Sequence, residues 1–116
     1  MAIISSHTLN SVDGTHAGGI AVTLYAIARG GTRTAIFETA MDDGGRLNET
    51  IEAPSEAQSY ELIFQTGDYF AARSQQTDTH QILREVVIRF EMSDQQNLYH
   101  FPLMLAPNSY STWWSS

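Results

Sequence analysis

Residues 85–92 read Glu-Val-Val-Ile-Arg-Phe-Glu-Met, and residues 99–105 read Tyr-His-Phe-Pro-Leu-Met-Leu. In both stretches every second residue is apolar, which is the pattern of a β-strand with one face against a core. The faces predicted to be buried carry Val86, Ile88, Phe90 and Met92, and Tyr99, Phe101, Leu103 and Leu105. Residues 93–97, Ser-Asp-Gln-Gln-Asn, are typical of a turn. We therefore predict two half-buried strands that pair as an antiparallel hairpin.

Outside this hairpin the chain contains further short stretches that are typical of strands. Residues 20–27 are rich in β-branched and aromatic residues between two Gly-Gly pairs, and residues 34–39 and 60–64 are shorter candidates. A first strand is possible near Ile3, and Asp68 is placed to cap a short helix that runs to Arg73. Several short strands with turns between them predict an all-β antiparallel sandwich or barrel, in a single domain of residues 1–116.

Composition excludes several classes of function. The 116 residues include no cysteine, which rules out disulfides, thiolate catalysis and cysteine-based metal sites. The net charge is −7 and the 6 basic residues are scattered, so nucleic acid is not an expected partner. No apolar run approaches the ~20 residues of a membrane span. The N-terminus lacks the pattern of a secretory signal, which favours a cytoplasmic location.

Three positions are candidates for chemistry. In the alternation of residues 99–105, His100 points away from the core, and Pro102 beside it indicates an edge or an interruption of strand pairing. His7 lies in the possible first strand, and Arg46 follows the tight turn Asp43-Gly44-Gly45. By local pattern alone, an ordinary solvent-exposed side chain is the favoured interpretation of His100 and Arg46, and His7 carries no signal of its own. His16 and His80 are interpreted as structural or solvated, and no metal or other cofactor is expected.

The C-terminal residues are unusual for a chain end. Residues 106–116 read Ala-Pro-Asn-Ser-Tyr-Ser-Thr-Trp-Trp-Ser-Ser. Two adjacent indoles expose a large apolar surface unless they pack, so a docked tail or a subunit contact is expected. The alternative is that they complete the core of their own chain.

Several motifs together resemble the 5-hydroxyisourate hydrolases of the transthyretin-like family. Residues 6–10, Ser-His-Thr-Leu-Asn, are similar to the family's Ser/Thr-His-Val-Leu-Asp, and residues 43–46 are similar to its Asp-Gly-Arg turn. Residues 60–64 and 66–70 match its mid-chain pattern. Residues 99–107 are similar to Tyr-His-Val-Pro-Leu-Leu-Leu-Ser-Pro, and Tyr-Ser-Thr follows at 110–112. The resemblance covers the chain end to end.

This resemblance implies a two-sheet transthyretin-like sandwich that assembles as a homotetramer, a dimer of dimers. It implies catalysis by His7, Arg46 and His100 on a small-molecule substrate, in the degradation of urate, without metal. The family's tail folds into the active site, which suggests substrate contacts from Tyr110, Trp113, Trp114 and Ser116. Where the family ends Tyr-Arg-Gly-Ser, this chain ends Trp-Trp-Ser-Ser, so an apolar wall replaces a positive charge.

Three possible functions follow from this resemblance and from the changed C-terminal tail. The first is hydrolysis of the cyclic amide of 5-hydroxyisourate, with water activated by the two histidines and the substrate oriented by Arg46. The second is action on another cyclic amide or heteroaromatic natural product, because the tail has changed. The third is small-ligand binding without catalysis.

Overall fold

The computed structural model describes residues 1–73 and 80–115, which form eight strands and one helix. The elements are β1 (Ala2–Asn10), β2 (Ala21–Ala28), β3 (Arg33–Ala40), β4 (Arg46–Ile51), β5 (Ala57–Phe64), α1 (Thr66–Arg73), β6 (Val86–Phe90), β7 (Leu98–Ala106) and β8 (Ser109–Thr112). The strands predicted at 20–27, 34–39, 60–64, 85–92 and 99–105 are confirmed. Within the described ranges, no helix is long and apolar enough to cross a membrane.

The strands form two four-stranded sheets that face each other. Sheet 1 has the order β4-β1-β7-β8, and sheet 2 has the order β3-β2-β5-β6. All neighbours are antiparallel except β1 and β7, which run parallel. The predicted two-sheet sandwich with one short helix is therefore confirmed, with one parallel pair inside sheet 1.

The core lies between the sheets and is supplied by alternate residues of their strands. Sheet 1 contributes Ile4, Leu103 and Leu105, and sheet 2 contributes Leu24 and Phe64, all at most 1% exposed. Residues between these buried positions are turned to the outside. The predicted alternation of β6 and β7 is confirmed, and each sheet is left with an outer face that can carry function.

The predicted hairpin between β6 and β7 is wrong. β6 pairs with β5 in sheet 2, whereas β7 pairs with β1 and β8 in sheet 1. Residues 91–97 thus carry the chain from one sheet to the other, and the Tyr99 hydroxyl donates to the carbonyl of Asp94 in this connection. Alternation shows which face of a strand is buried but does not identify its partner, so two strands on opposite sides of one core look like a hairpin.

Pro102 lies in the middle of β7 and marks an interruption in the pairing of β7 with β8 and the tail, which was one of the two predicted alternatives. β8 pairs with β7 from Ala106 back to Leu103, and pairing resumes only at an isolated bridge between His100 and Ser115. Pro102 lies between these points and has no N–H to donate. Its carbonyl instead accepts the hydroxyl of Thr112 at 2.9 Å.

The helix begins earlier than predicted. α1 starts at Thr66, so Asp68 lies inside the first turn and is not the N-cap. The Asp68 carboxylate accepts a bond from the Arg84 guanidinium at 3.0 Å. The N-cap prediction is therefore wrong, because Asp68 already lies inside the helix.

Two adjacent valines of β6 provide a matched test of the core. Val86 is 2% exposed, whereas Val87 on the outer face is 40% exposed. Val86→Ala is expected to lower the free energy of unfolding by about 2 kcal/mol, the contribution of two buried methyl groups with their cavity. Val87→Ala should change it by about 0.5 kcal/mol or less. Urea denaturation measures both, and equal losses would contradict this assignment of faces.

Candidate active site

The register of β1 against its neighbours brings His7, Arg46 and His100 to one face. Ile4, Ser6 and Thr8 are buried in β1, so His7 projects from the outer face of sheet 1. Arg46 lies directly opposite His7 across the antiparallel ladder, and His100 lies opposite Ser5 across the parallel ladder. Cross-strand partners point to the same side of a sheet. We call His7, Arg46 and His100 the His–Arg cluster.

Arg46 is positioned by the turn that precedes β4. The Asp42 side chain accepts the backbone N–H groups of Gly44 at 3.0 Å and Arg46 at 2.8 Å. Gly45 has a φ of 73° and would place a Cβ 2.5 Å from the carbonyl oxygen of Thr8, so only glycine fits there. Its own carbonyl accepts the N–H of Thr8 at 2.7 Å. The turn is thereby joined to β1 next to His7.

His100 is oriented by Ser5 on the neighbouring strand. The Ser5 hydroxyl and His100 Nδ1 share a hydrogen bond of 2.6 Å, and Ser5 is largely buried. The His100 backbone also exchanges two hydrogen bonds with Ser115 of the tail, at 3.0 and 2.8 Å. Because Nδ1 is engaged, Nε2 is the nitrogen of His100 that can exchange a proton with a ligand.

The surroundings of His7 favour its neutral form. Burial, the positive charge of Arg46 and the neighbouring His16 lower the pKa of His7 from its ordinary value of 6.5, in that order of size. A hydrogen bond with the backbone of Gly44 raises this pKa, and His100 lowers it by less. A neutral imidazole can accept a proton from water, whereas an imidazolium cannot. The cluster thus combines a neutral base, a second oriented imidazole and a guanidinium.

His16 and Ser5 are contacts of the cluster that the sequence did not reveal. His16 was interpreted as structural or solvated, yet its Nδ1 lies 2.9 Å from Nε2 of His7. The available signal was the turn sequence around Gly14, which folds residue 16 back beside β1 as a bridge between Leu9 and His16. His80 is exposed, as that interpretation expects.

The tail docks on sheet 1 and turns its two indoles to opposite sides. The ring of Trp114 lies 6.4 Å from that of Tyr99, at the mouth of a cavity of about 300 Å³ that opens between the sheets. The cavity is lined by Phe90, Glu91, Ser93, Tyr99, Phe101 and Trp114. Alternation from Thr112 to Ser115 leaves Trp113 on the outer face, in the row of Pro102 and His7.

The other predicted substrate contacts fall elsewhere. Tyr110 pairs with the core-facing Leu105, so it is turned away from the outer face that carries the cluster. Ser116 lies outside the described residues. The substrate-binding roles of Tyr110, Trp113, Trp114 and Ser116 stay predictions. Across residues 1–73 and 80–115, no three histidine or carboxylate side chains converge as a metal site requires.

Known proteins resemble this chain over nearly its whole length. The model of the HIUase/Transthyretin family matches residues 4–114. A 5-hydroxyisourate hydrolase of Halalkalibacterium halodurans is 31% identical over 112 residues, which cover 95% of this chain and 94% of that protein. The solved structure of Klebsiella pneumoniae 5-hydroxyisourate hydrolase superposes with a TM-score of 0.77 at 27% identity, over 100% of both chains.

Transthyretin from Sparus aurata superposes with a TM-score of 0.78 over 97% of this chain and 95% of that chain. At 23% identity this likeness concerns the fold alone. The predicted transthyretin-like fold and the predicted similarity to 5-hydroxyisourate hydrolases are both confirmed. By its matching family model and its relatives, the chain belongs to the HIUase/Transthyretin family.

Proposed function

We propose that this protein is a hydrolase that opens the cyclic amide of 5-hydroxyisourate in urate degradation. The observation that carries the proposal is the strand register that joins His7, Arg46 and His100 on the outer face of sheet 1. Membership of the family and similarity to proteins named for this activity support it. The three residues supply a base, a second proton-transfer group and a fixed positive charge, which suffice for amide hydrolysis by water.

The proposed reaction begins with neutral His7, which takes a proton from a water molecule as that water attacks a ring carbonyl carbon. Negative charge develops on the carbonyl oxygen, and the guanidinium of Arg46 stabilises it. When the carbon–nitrogen bond breaks, His100 returns a proton to the departing ring nitrogen. One water is consumed and the protons balance: His7 gains one proton and His100 gives one, and transfer of a proton from His7 to His100 through water restores both rings.

The proposed substrate is tested by adding purified protein to freshly prepared 5-hydroxyisourate. Faster loss of its ultraviolet absorbance than in buffer supports the proposal. A folded protein that gives no acceleration would contradict it and would favour another cyclic amide or ligand binding without catalysis. In that case, restoring the family's tail with Trp114→Arg and Ser115→Gly tests whether the changed tail is the cause of the missing activity.

Activity should depend on pH through His7. The neutral form acts as the base, so the rate falls when the pH drops through the pKa of His7. Because burial, Arg46 and the neighbouring histidines lower that pKa below 6.5, the acid limb of kcat/KM should lie below pH 6.5. A profile of kcat/KM from about pH 5 to pH 8 measures this limb. A limb centred above the ordinary histidine value would contradict the role given to His7.

The two tail indoles should have different effects when each is replaced by alanine. Trp113 shares the outer face with His7, so Trp113→Ala is expected to raise KM by about 2–10-fold, the loss of one aromatic contact. Trp114 packs near Tyr99 on the other side, so Trp114→Ala should leave KM within about twofold and lower stability by about 1 kcal/mol. Steady-state kinetics and urea denaturation separate the two, and the reverse pattern would refute the proposed contact.

Self-association as a homotetramer in the cytoplasm is part of the same proposal. The outer face of sheet 1 presents the apolar side chains of Leu98, Met104 and Trp113, which are 36%, 43% and 51% exposed. Apolar groups gathered around a polar site favour contact with another protein surface. Assembly over this face would enclose the His–Arg cluster and exclude bulk water from it, which strengthens its electrostatic interactions.

A further inference from the structure

His16 forms a close pair with His7 on the outer face of sheet 1. Nε2 of His7 and Nδ1 of His16 are 2.9 Å apart, and the two rings stack with centroids 5.0 Å apart and planes inclined by 26°. At this separation one nitrogen carries the hydrogen and the other accepts it. The contact therefore couples the tautomers of the two neutral rings.

The backbone holds His16 in this position. Residues on either side of it are hydrogen-bonded to β1: the N–H of Asn10 donates to the carbonyl of Thr15 at 2.8 Å, and the N–H of Ala17 donates to the carbonyl of Thr8 at 2.9 Å. The Thr8 hydroxyl also donates to the carbonyl of Ala17 at 2.7 Å. His16 is thus part of a short ladder rather than a loose loop, and its ring is presented to His7 by fixed strands.

The turn before His16 is closed by its own side chains. The carboxylate of Asp13 accepts both the N–H and the hydroxyl of Thr15, at 3.0 and 2.7 Å. These two hydrogen bonds lower the pKa of Asp13, and the bond from the Thr15 hydroxyl has the larger effect. Gly14 takes a φ of 78°, which lets the chain reverse. The local sequence therefore determines the distance between the two imidazoles.

We propose that His16 is a positioning residue of this site: its Nδ1 accepts the Nε2–H of His7 and so leaves the Nδ1 lone pair of His7 as the catalytic base. The proposal rests on the proposed function, in which neutral His7 takes a proton from water. Nε2 of His7 faces His16, so a base at His7 must use Nδ1, and its ring hydrogen must then be on Nε2. The opposite arrangement would put the hydrogen on Nδ1 and leave no lone pair for water.

This arrangement also lets the starting tautomer return after each turnover. When His7 has taken a proton at Nδ1, its Nε2–H stays bonded to His16, and the proton on Nδ1 is the one that leaves. His7 then again carries its hydrogen on Nε2, with the Nδ1 lone pair free for the next water. The other charged or titratable groups that act on His7 are Arg46 on β4 and His100 on β7, and the backbone of Gly44 in the turn before β4 is a further hydrogen-bond partner.

Two replacements of His16 separate its acceptor role from its packing. His16→Phe keeps a stacked ring without an acceptor, and His16→Gln keeps a side-chain carbonyl that can accept the Nε2–H of His7. The ring ¹⁵N chemical shifts of His7, measured by NMR on the free protein at neutral pH, report which nitrogen carries the hydrogen. The rate of 5-hydroxyisourate hydrolysis is measured on the same three proteins.

We expect His7 of the parent protein to carry its hydrogen on Nε2. His16→Phe should give a mixture of the two His7 tautomers and lower kcat by about tenfold or more at similar KM. His16→Gln should recover most of the Nε2–H tautomer and most of kcat. A His7 that carries its hydrogen on Nδ1, or a His16→Phe variant with unchanged tautomer and kcat, would overturn the proposal. If the parent protein does not hydrolyse 5-hydroxyisourate but shows the expected tautomers, the assigned hydrogen bond stands and the proposed function alone has failed.

Discussion

Replacement of His100 by alanine is expected to lower kcat/KM for 5-hydroxyisourate by a factor of about 10²–10⁴, the usual contribution of a positioned acid or base. The Ser5 hydroxyl holds Nδ1 of His100 at 2.6 Å, so Nε2 is the ring nitrogen left to act on a substrate. Alanine removes the group that is proposed to protonate the departing nitrogen. Initial rates of absorbance loss, measured over a range of substrate concentrations, give the ratio.

The fold should survive this replacement, because His100 projects from the outer face and its backbone hydrogen bonds to Ser115 do not depend on the side chain. Unchanged urea denaturation would show that the loss is chemical. His80→Ala is the matched control, since His80 is exposed and lies outside the cluster. Activity within a few-fold of the parent protein after His100→Ala would mean that this imidazole is not needed for the reaction.

The second large effect is expected at Arg46. Arg46→Gln should lower kcat/KM by about 10²–10³, as is usual when one donor to a developing oxyanion is removed. Arg46→Lys keeps the charge but loses the planar fork of donors, so it should recover only part of the activity. Steady-state kinetics of both variants, with the KM and kcat contributions separated, measure the effect.

Arg29→Gln is the matched control for Arg46, because Arg29 is an exposed arginine in the turn between β2 and β3, away from the cluster. Arg46 donates its backbone N–H to Asp42, and this bond is kept in both Arg46 variants, so the turn should not change. Full activity of Arg46→Gln would show that the guanidinium neither orients the substrate nor stabilises charge.

The sequence predicted the strands of this protein better than their pairing. The alternation of residues 85–92 and 99–105 correctly identified the buried faces of β6 and β7, because burial of alternate side chains is a local property. Their predicted hairpin is wrong, because two strands that lie in different sheets on opposite sides of one core show the same alternation as two paired strands. β4 and β8 were not predicted, since the partly exposed edge strands of sheet 1 carry a weak alternation.

The candidate site shows the same division between local and long-range information. Local pattern left His7, Arg46 and His100 indistinguishable from solvated residues, and the family resemblance alone singled them out. They are brought together by register: β1 lies between β4 and β7, so residues far apart in sequence become neighbours across its two ladders. His16 was missed because its contact with His7 depends on the exact reversal at Gly14.

The most direct test of the central claim is a double-mutant cycle between His7 and His100, with kcat/KM for 5-hydroxyisourate as the readout. Groups that act together on one water and one substrate are strongly non-additive. We therefore expect the His7→Ala/His100→Ala protein to retain activity within a few-fold of the weaker single variant. If the two losses multiply instead, the histidines act independently, and the claim that this face of sheet 1 is one catalytic site is contradicted.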